Sequence, residues 1–113
     1  NQHSTTWYRL INFKLLAIWE IRDVKWLEEE IHQYVDLHYA PPIFLTTVYT
    51  LYAKMLFSHG DIEQGTLYAN KSVELIKKVN IQLEKYNSII SEDIPEFNSK
   101  FKNLELDYLN VFM

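Results

Sequence analysis

Residues 60–90, GDIEQGTLYANKSVELIKKVNIQLEKYNSII, carry the pattern that decides the fold of this chain. Gly60 is typical of a residue that closes a helix, and Asp61 is a favoured N-cap for the next one. The spacings that follow alternate between three and four residues, which places one stripe along a single helix. The stripe consists of Ile62, Gly65, Ala69, Ser72, Ile76, Val79, Leu83, Tyr86 and Ile90. It predicts one long helix through this stretch, or a helix that ends earlier at Asn80 or Asn87.

The same stripe predicts two packing environments for the long helix. Its first half carries small residues that let a second helix backbone come close, whereas its second half carries large residues that fill the space to a neighbour. We therefore expect the long helix to pair with one helix before it and with another after it.

Composition indicates an all-α chain. Of the 113 residues 48% are hydrophobic, and only two are glycine and three are proline, which favours a compact helical fold over disorder. We expect a single helical domain, or a fragment of a longer protein because the first residue is Asn1 and not methionine. The predicted organisation is a degenerate helix pair over residues 1–40, a second pair over 41–80 and a C-terminal hairpin over 81–113.

Three helices are predicted before the long one, over residues 6–21, 24–39 and 43–59. The first is apolar around most of its circumference. A narrow polar strip interrupts it, formed by Arg9, Asn12, Lys14 and Glu20. A helix of this kind needs more than one packing partner.

A last helix is predicted from Asp93, where Pro95 fits the first turn and Glu96 completes a capping box. Its apolar stripe has the same spacing as that of the long helix, and two such stripes joined by a short turn pack antiparallel. Further apolar residues lie off the stripe, namely Leu106, Leu109, Phe112 and Met113. They predict a face for a missing continuation of the chain or for a second subunit, so a homodimer through the C-terminal helix is one expectation.

Small residues stand at three places where the helices of the second pair would meet. They are Ala53, Gly65 and Ser72, and a Gly60-Asp61 turn joins the two helices. Large residues of the first helix accompany them, namely Tyr49, Tyr52 and Leu56. With these residues the stretch 45–80 resembles the tetratricopeptide repeat family.

The resemblance has two departures and covers the earlier pair only loosely. Ala69 stands where the family has an aromatic residue, and Lys77 stands where it has a closing proline, which agrees with a helix that continues past the usual repeat end. In the earlier pair Leu27 stands at a small-residue position. Its capping residue Asp23 nevertheless precedes Asp61 by 38 residues, a spacing typical of helical repeats.

The resemblance implies antiparallel helical hairpins in a right-handed superhelical arrangement, here of about five helices with a long fourth helix. It also implies a non-enzymatic scaffold that binds a protein or peptide on the concave face of its first helices. Carried over by position, that face contains Thr47, Thr50, Lys54 and Phe57. The lysine and asparagine pattern by which some members clamp a carboxyl terminus is absent, so no particular peptide is implied.

Charge and composition argue against several classes of partner. The net charge of −4 is small, and acidic and basic residues are interspersed along the chain. The basic face expected of a nucleic-acid-binding protein is therefore missing from the sequence pattern. No apolar run reaches the roughly 20 residues that cross a bilayer. The chain has no cysteine, which excludes a disulfide or thiolate site and fits an intracellular, cytoplasmic protein. We therefore expect a protein or peptide partner, not a nucleic acid or a membrane.

Glu28, His32 and Asp36 are the strongest candidates for metal ligands, because their four-residue spacing stacks them on one helix face. The same spacing is typical of a solvated face with pairs one turn apart, and we favour that interpretation because no HExxH motif is present. We predict no metal, no cofactor and no catalytic residue. His38 lies on the apolar side of its helix and is expected in the core or an interface.

Two alternatives to the scaffold stay open at this point. One is a ligand- or peptide-sensing domain of a regulator, and the other is a purely structural oligomerisation domain.

Overall fold

The computed structural model describes residues 3–78 and 83–99, and every regular element in this part of the chain is helical. In chain order the helices are α1 (Thr5–Glu20), α2 (Val24–Tyr34), α3 (Pro42–Ser58), α4 (Ile62–Ile76) and α5 (Leu83–Ser91). Residues 97–99 are helical again. The predicted all-α fold class is therefore confirmed.

The α1–α2 and α3–α4 turns share one hydrogen-bond pattern. Each contains a residue with positive φ after the helix C-cap, Arg22 with φ 59° and Gly60 with φ 81°. An aspartate follows in each, and the carboxylates of Asp23 and Asp61 accept a backbone N–H three residues further on, both at 3.1 Å. The aspartate N–H groups in turn donate to the carbonyl oxygen five residues earlier. The two predicted caps are confirmed, and both hairpins use the same helix-ending motif.

Small residues let α3 and α4 pack closely, as predicted. Ala53 of α3 and Gly65 and Ser72 of α4 are all buried. A methyl group at Gly65 would not fit without movement, since an added Cβ would lie 2.5 Å from Cε1 of Phe57. The position of the Phe57 ring against α4 therefore depends on the absence of a side chain at Gly65.

The buried side chains form two clusters. The larger one joins α1, α2 and α3 with Ile89 of α5. The smaller one consists of Ala53, Ala69, Val73, Ile76, Tyr86, Ile90 and Phe97. Because Phe97 is buried there and Asn87 Nδ2 donates to Asn98 Oδ1 at 2.8 Å, the chain turns back along α5 as far as residue 99.

Helix α2 ends earlier than predicted. It stops at Tyr34 instead of residue 39, because the N–H groups of Leu37 and Ala40 donate to carbonyl oxygens three residues back and close successive tight turns. His38 falls in this segment and is exposed, so the expectation of a core position is wrong.

The predicted long fourth helix is also wrong. Helix α4 ends at Ile76, and residues 77 and 78 form a turn. The Lys78 N–H donates to the carbonyl oxygen of Leu75, three residues back, so the last turn tightens and the α-helical hydrogen-bond pattern ends there. Asn87, the other candidate end, lies inside α5.

Several predictions fall on residues 79–82 and 100–113, which are outside the described part of the chain. They are the break at Asn80, most of the C-terminal stripe and the homodimer face of the last helix.

Candidate functional site

Two of the four residues predicted to bind a partner lie inside the molecule. Thr47 and Thr50 of α3 are 0% and 1% exposed. The Thr47 hydroxyl lies 2.9 Å from Tyr86 Oη of α5, and the Thr50 hydroxyl lies 2.6 Å from Ser72 Oγ of α4. Neither threonine offers a surface to a partner in this structure, because α4 and α5 cover this face of α3.

The other two, Lys54 and Phe57, are half-buried at internal contacts. Lys54 Nζ lies 2.6 Å from Glu92 Oε2 and 2.7 Å from Asp93 Oδ2. The Phe57 ring packs where a side chain at Gly65 would stand. The face that the sequence pattern assigns to a partner is therefore turned towards α4, α5 and the turn after α5.

A charged cluster surrounds Trp19 at this end of the molecule. The Arg22 guanidinium carbon lies 3.7 Å from a ring centroid of Trp19, and Lys54 Nζ lies 5.2 Å from it. Arg22 also pairs with Glu92 at 3.3 Å. The hydrogen bond from Lys54 is the main cause that holds the pKa of Glu92 below its usual range, although partial burial acts in the opposite direction. Because these charges pair with one another, the cluster cross-links the α1–α2 turn, α3 and the turn after α5.

Glu28, His32 and Asp36 do not come together as a metal site. Glu28 pairs with His59 at the end of α3, and the His32 ring meets the Tyr52 ring edge-on with centroids 6.1 Å apart. Within residues 3–78 and 83–99, no three His, Cys, Asp or Glu side chains are placed so that they could hold a metal ion.

An apolar groove opens between α1 and the start of α3, and we call it the α1–α3 groove. Its volume is about 310 Å³, and it is lined by Thr5, Tyr8, Arg9, Asn12, Phe13, Pro41, Ile43 and Phe44. Core aromatic residues form its floor, where the Tyr8 and Phe44 rings meet edge-on with centroids 5.0 Å apart. Phe13 and Ile43 form its rims and are 67% and 48% exposed.

Helix periodicity explains how α1 serves both the core and the groove. Its core stripe includes Leu15 and Ile18, while Arg9 and Phe13, one turn apart, lie on a neighbouring face that lines the groove. Leu10 precedes Phe13 by three residues and is 63% exposed, so it extends the apolar surface beyond the groove. The sequence indicates that α1 needs more than one partner, and α1 does pack on α2 and α3. Leu10 and Phe13 nevertheless stay exposed.

Polar groups in the α1–α3 groove are few. Arg9 is the only charged residue among the eight that line it, and its exposed side chain makes no ion pair with any residue that the structure describes. Asn12 Oδ1 is buried in the groove wall and has no hydrogen-bond partner among the same residues. As far as the described residues show, the groove therefore combines an apolar lining with one unpaired cation and one unsatisfied acceptor.

Two other concavities carry more charge. One lies between α3 and α4 and contains Lys71, Glu74 and Lys78. There Lys71 Nζ lies 4.6 Å from the centroid of the Tyr68 ring. The other lies at the charged cluster around Trp19, whose cations are already paired.

The sequence pattern does not identify the α1–α3 groove as a site. One signal for it is present, because Phe13 and Leu10 make α1 more apolar than one buried face requires. The opposite wall, Pro41 and Ile43, comes from a different element, and only the tertiary structure brings the two together.

Among residues 3–78 and 83–99, no helix combines the length and the apolar character that a membrane span requires. Comparison with protein-family models, curated proteins and solved structures finds no match for this chain. A functional assignment therefore rests on the residues of the chain itself.

Proposed function

We propose that this chain is a non-enzymatic protein-interaction module that holds a segment of a partner protein in the α1–α3 groove. The observation that carries the proposal is the exposure of Leu10, Phe13 and Ile43 beside a concave aromatic floor. Adjacent large apolar side chains that stay exposed on a folded domain are typical of interaction surfaces. A preformed concavity next to them gives a partner side chain a place to be buried.

The size of the groove suits peptide side chains better than a cofactor. Its volume of about 310 Å³ lies at the lower end of ligand pockets, which begin at about 300 Å³. That space accepts one or two large apolar side chains of a docked segment. Burying such anchors between aromatic walls is how a few residues supply most of the affinity of an interface.

The proposal keeps the class of function that the tetratricopeptide-like pattern implies, and it moves the site. The repeated turn at Arg22 and Gly60 and the small-residue contact of α3 with α4 support a helical-repeat relationship. The face of α3 that would bind a peptide in that family is occupied by α4 and α5. An open apolar face lies instead on α1, beside the start of α3.

A displayed library of random peptides of about 12 residues tests the proposal. Selection uses the wild-type chain, and each enriched peptide is then measured on Ile43→Ser and Ile62→Ser. Both isoleucines lie in the first turn of a helix and are 48% and 62% exposed, but only Ile43 lines the groove. We expect peptides that bind wild type and Ile62→Ser equally and lose about tenfold or more in affinity on Ile43→Ser. Thermal unfolding verifies that both variants are folded.

As a positive control, the same library is selected on an unrelated peptide-binding domain. The proposal is contradicted if that domain yields binders but this chain yields no peptide that Ile43→Ser weakens and Ile62→Ser leaves unchanged. Peptides weakened by Ile62→Ser and not by Ile43→Ser place binding on α4 and contradict it as well. Self-association of the wild-type chain that Ile43→Ser abolishes, measured by sedimentation, assigns the groove to a second copy and favours the structural alternative.

A further inference from the structure

We infer that the α1–α3 groove selects partner segments in which a carboxylate stands beside one or two large apolar side chains, with Arg9 as the residue that recognises the acid. This inference rests on the proposed function and adds the chemical class of the partner. It depends on the position of Arg9, on the pairing of the neighbouring cations and on the absence of an acidic residue from the groove lining.

Arg9 stands where a docked segment would meet it. It lies one turn before Phe13 on the same face of α1, and both residues line the groove. A segment that buries an apolar side chain against Phe13 therefore brings its next residues close to the guanidinium. That group binds a carboxylate through two parallel N–H donors, which gives both affinity and a fixed orientation.

The other cations of α1 and its following turn have partners within the fold. Lys14 Nζ lies 3.0 Å from Glu30 Oε1, and Arg22 pairs with Glu92. Arg9 has no such carboxylate among the described residues, and none of the residues that line the groove is acidic. The guanidinium is therefore available to an acid that another molecule supplies.

The net charge of the chain opposes an acidic partner. At −4 the chain as a whole repels an acidic segment, so the binding of one depends on a local cation. Arg9 supplies that cation beside the apolar side chains that line the groove.

The positive charge of Arg9 argues against a second copy of the chain as the occupant. A two-fold contact through the groove would apply the same patch on both subunits and would bring two Arg9 side chains to one interface. The groove lining contains no carboxylate that could pair with either of them. A segment of a different protein that brings its own acid satisfies the charge.

Asn12 offers a second polar contact next to Arg9. Its buried Oδ1 lacks a donor among the residues that the structure describes, and Asn12 is one of the residues that line the groove. A backbone N–H of a docked segment supplies such a donor whatever its sequence. Arg9 then accounts for the choice of acid, and Asn12 for binding of the peptide backbone.

Two displayed peptide libraries with the same apolar content test the inference. In one library the charged positions are Asp or Glu, and in the other they are Lys or Arg. Both are selected on wild type, Arg9→Glu and Lys25→Glu, and Ile43→Ser identifies the peptides that use the groove. Lys25 is exposed on α2 and makes no ion pair with a described residue, so its reversal changes the net charge equally without touching the groove.

We expect groove-dependent peptides from the acidic library on wild type and on Lys25→Glu. Arg9→Glu should weaken them by about tenfold or more, since it replaces a charge-assisted hydrogen bond by repulsion, and it should enrich the basic library instead. Groove-dependent peptides from the basic library that bind wild type as tightly as the acidic ones overturn the inference. The inference is also overturned if Arg9→Glu lowers the affinity of the acidic peptides no more than Lys25→Glu does. If neither library yields a peptide sensitive to Ile43→Ser, the proposed function itself fails, and that outcome is distinct from a wrong choice of charge.

Discussion

Arg22 and Gly60 occupy the same position in two copies of one helix-ending turn. Both have positive φ, at 59° and 81°, and both stand between a helix C-cap and a capping aspartate. Glycine adopts this backbone conformation without steric cost, whereas an L-residue such as arginine pays about 1 kcal/mol there. Arg22 offsets that strain through its contact with Trp19 and its ion pair with Glu92.

This equivalence leads to a prediction about substitutions at Arg22. Arg22→Ala removes the side-chain contacts and keeps the strain, while Arg22→Gly removes both. We therefore expect Arg22→Gly to be more stable than Arg22→Ala by about 1 kcal/mol in urea unfolding.

The matched control is Glu29, an exposed residue inside α2. There the order should reverse, with Gly less stable than Ala by about 1 kcal/mol. If Arg22→Ala were as stable as Arg22→Gly, the positive φ at this position would not lower the free energy of unfolding.

Gly65 and Gly60 should resist alanine for different reasons. At Gly65 the new Cβ meets the Phe57 ring at 2.5 Å, while at Gly60 nothing lies within 4 Å and the cost comes from the backbone. We expect each substitution to destabilise the chain by about 1 kcal/mol, the value at Gly65 being reduced by the better helix propensity of alanine.

Phe57→Leu separates the two mechanisms in a double-mutant cycle. In that background Gly65→Ala should become neutral or stabilising, because the ring that it meets is gone, whereas Gly60→Ala should cost as much as before. Equal costs for Gly65→Ala in both backgrounds would show that the helix contact is not set by this pair.

The stability of the chain should depend on the ionisation of Glu92. The pKa of this carboxyl is lowered in the folded chain, first by the hydrogen bond from Lys54. Its stabilising contribution is therefore complete above its ordinary pKa of 4.5 and is lost as the pH falls through the lower folded value. Because the side chain is 42% exposed, we expect Glu92→Gln to cost less than about 1 kcal/mol at neutral pH.

Unfolding curves at a series of pH values measure this contribution. The difference between wild type and Glu92→Gln should shrink below pH 4.5, and Glu29→Gln, at an exposed residue without an ion pair among the described residues, should show no such difference. A difference that stays constant down to acid pH would contradict the ion-pair cluster.

Asn12 should lower the stability of the unbound chain and strengthen the binding of a peptide in the α1–α3 groove. Its buried Oδ1 lacks a partner among the residues that the structure describes, and an unsatisfied buried acceptor costs about 1–3 kcal/mol. Asn12→Leu, which has a similar shape, should therefore raise the melting temperature of the unbound chain while it weakens groove-selected peptides. A variant that is both less stable and equally able to bind would remove Asn12 from the site.

The sequence predicts local features of this fold better than its long-range contacts. The caps at Asp23 and Asp61 and the small residues of the α3–α4 contact are readable because each depends on near neighbours or on residue size. The end of α4 is less readable, because its apolar stripe continues past Ile76 with the same spacing.

Thr47 and Thr50 of the predicted binding face are buried for a specific physical reason. The resemblance to the tetratricopeptide repeat family assigns both threonines to an open face, but a threonine hydroxyl in a helix can donate to the carbonyl oxygen one turn back. Thr47 does this to Ile43 and also contacts Tyr86, 39 residues away, so it can be fully buried. The position of α5 across α3 creates that contact, and no local sequence pattern in α3 predicts it.

The most direct test of the central claim locates a bound peptide on the molecule. A peptide selected on the wild-type chain is added to isotope-labelled protein, and the amide chemical-shift changes are mapped by NMR. We expect the largest changes at the residues that line the α1–α3 groove, centred on Arg9, Phe13 and Phe44, and their loss in Ile43→Ser but not in Ile62→Ser. Changes centred on Lys71 and Glu74 between α3 and α4, or retained in Ile43→Ser, would contradict the account.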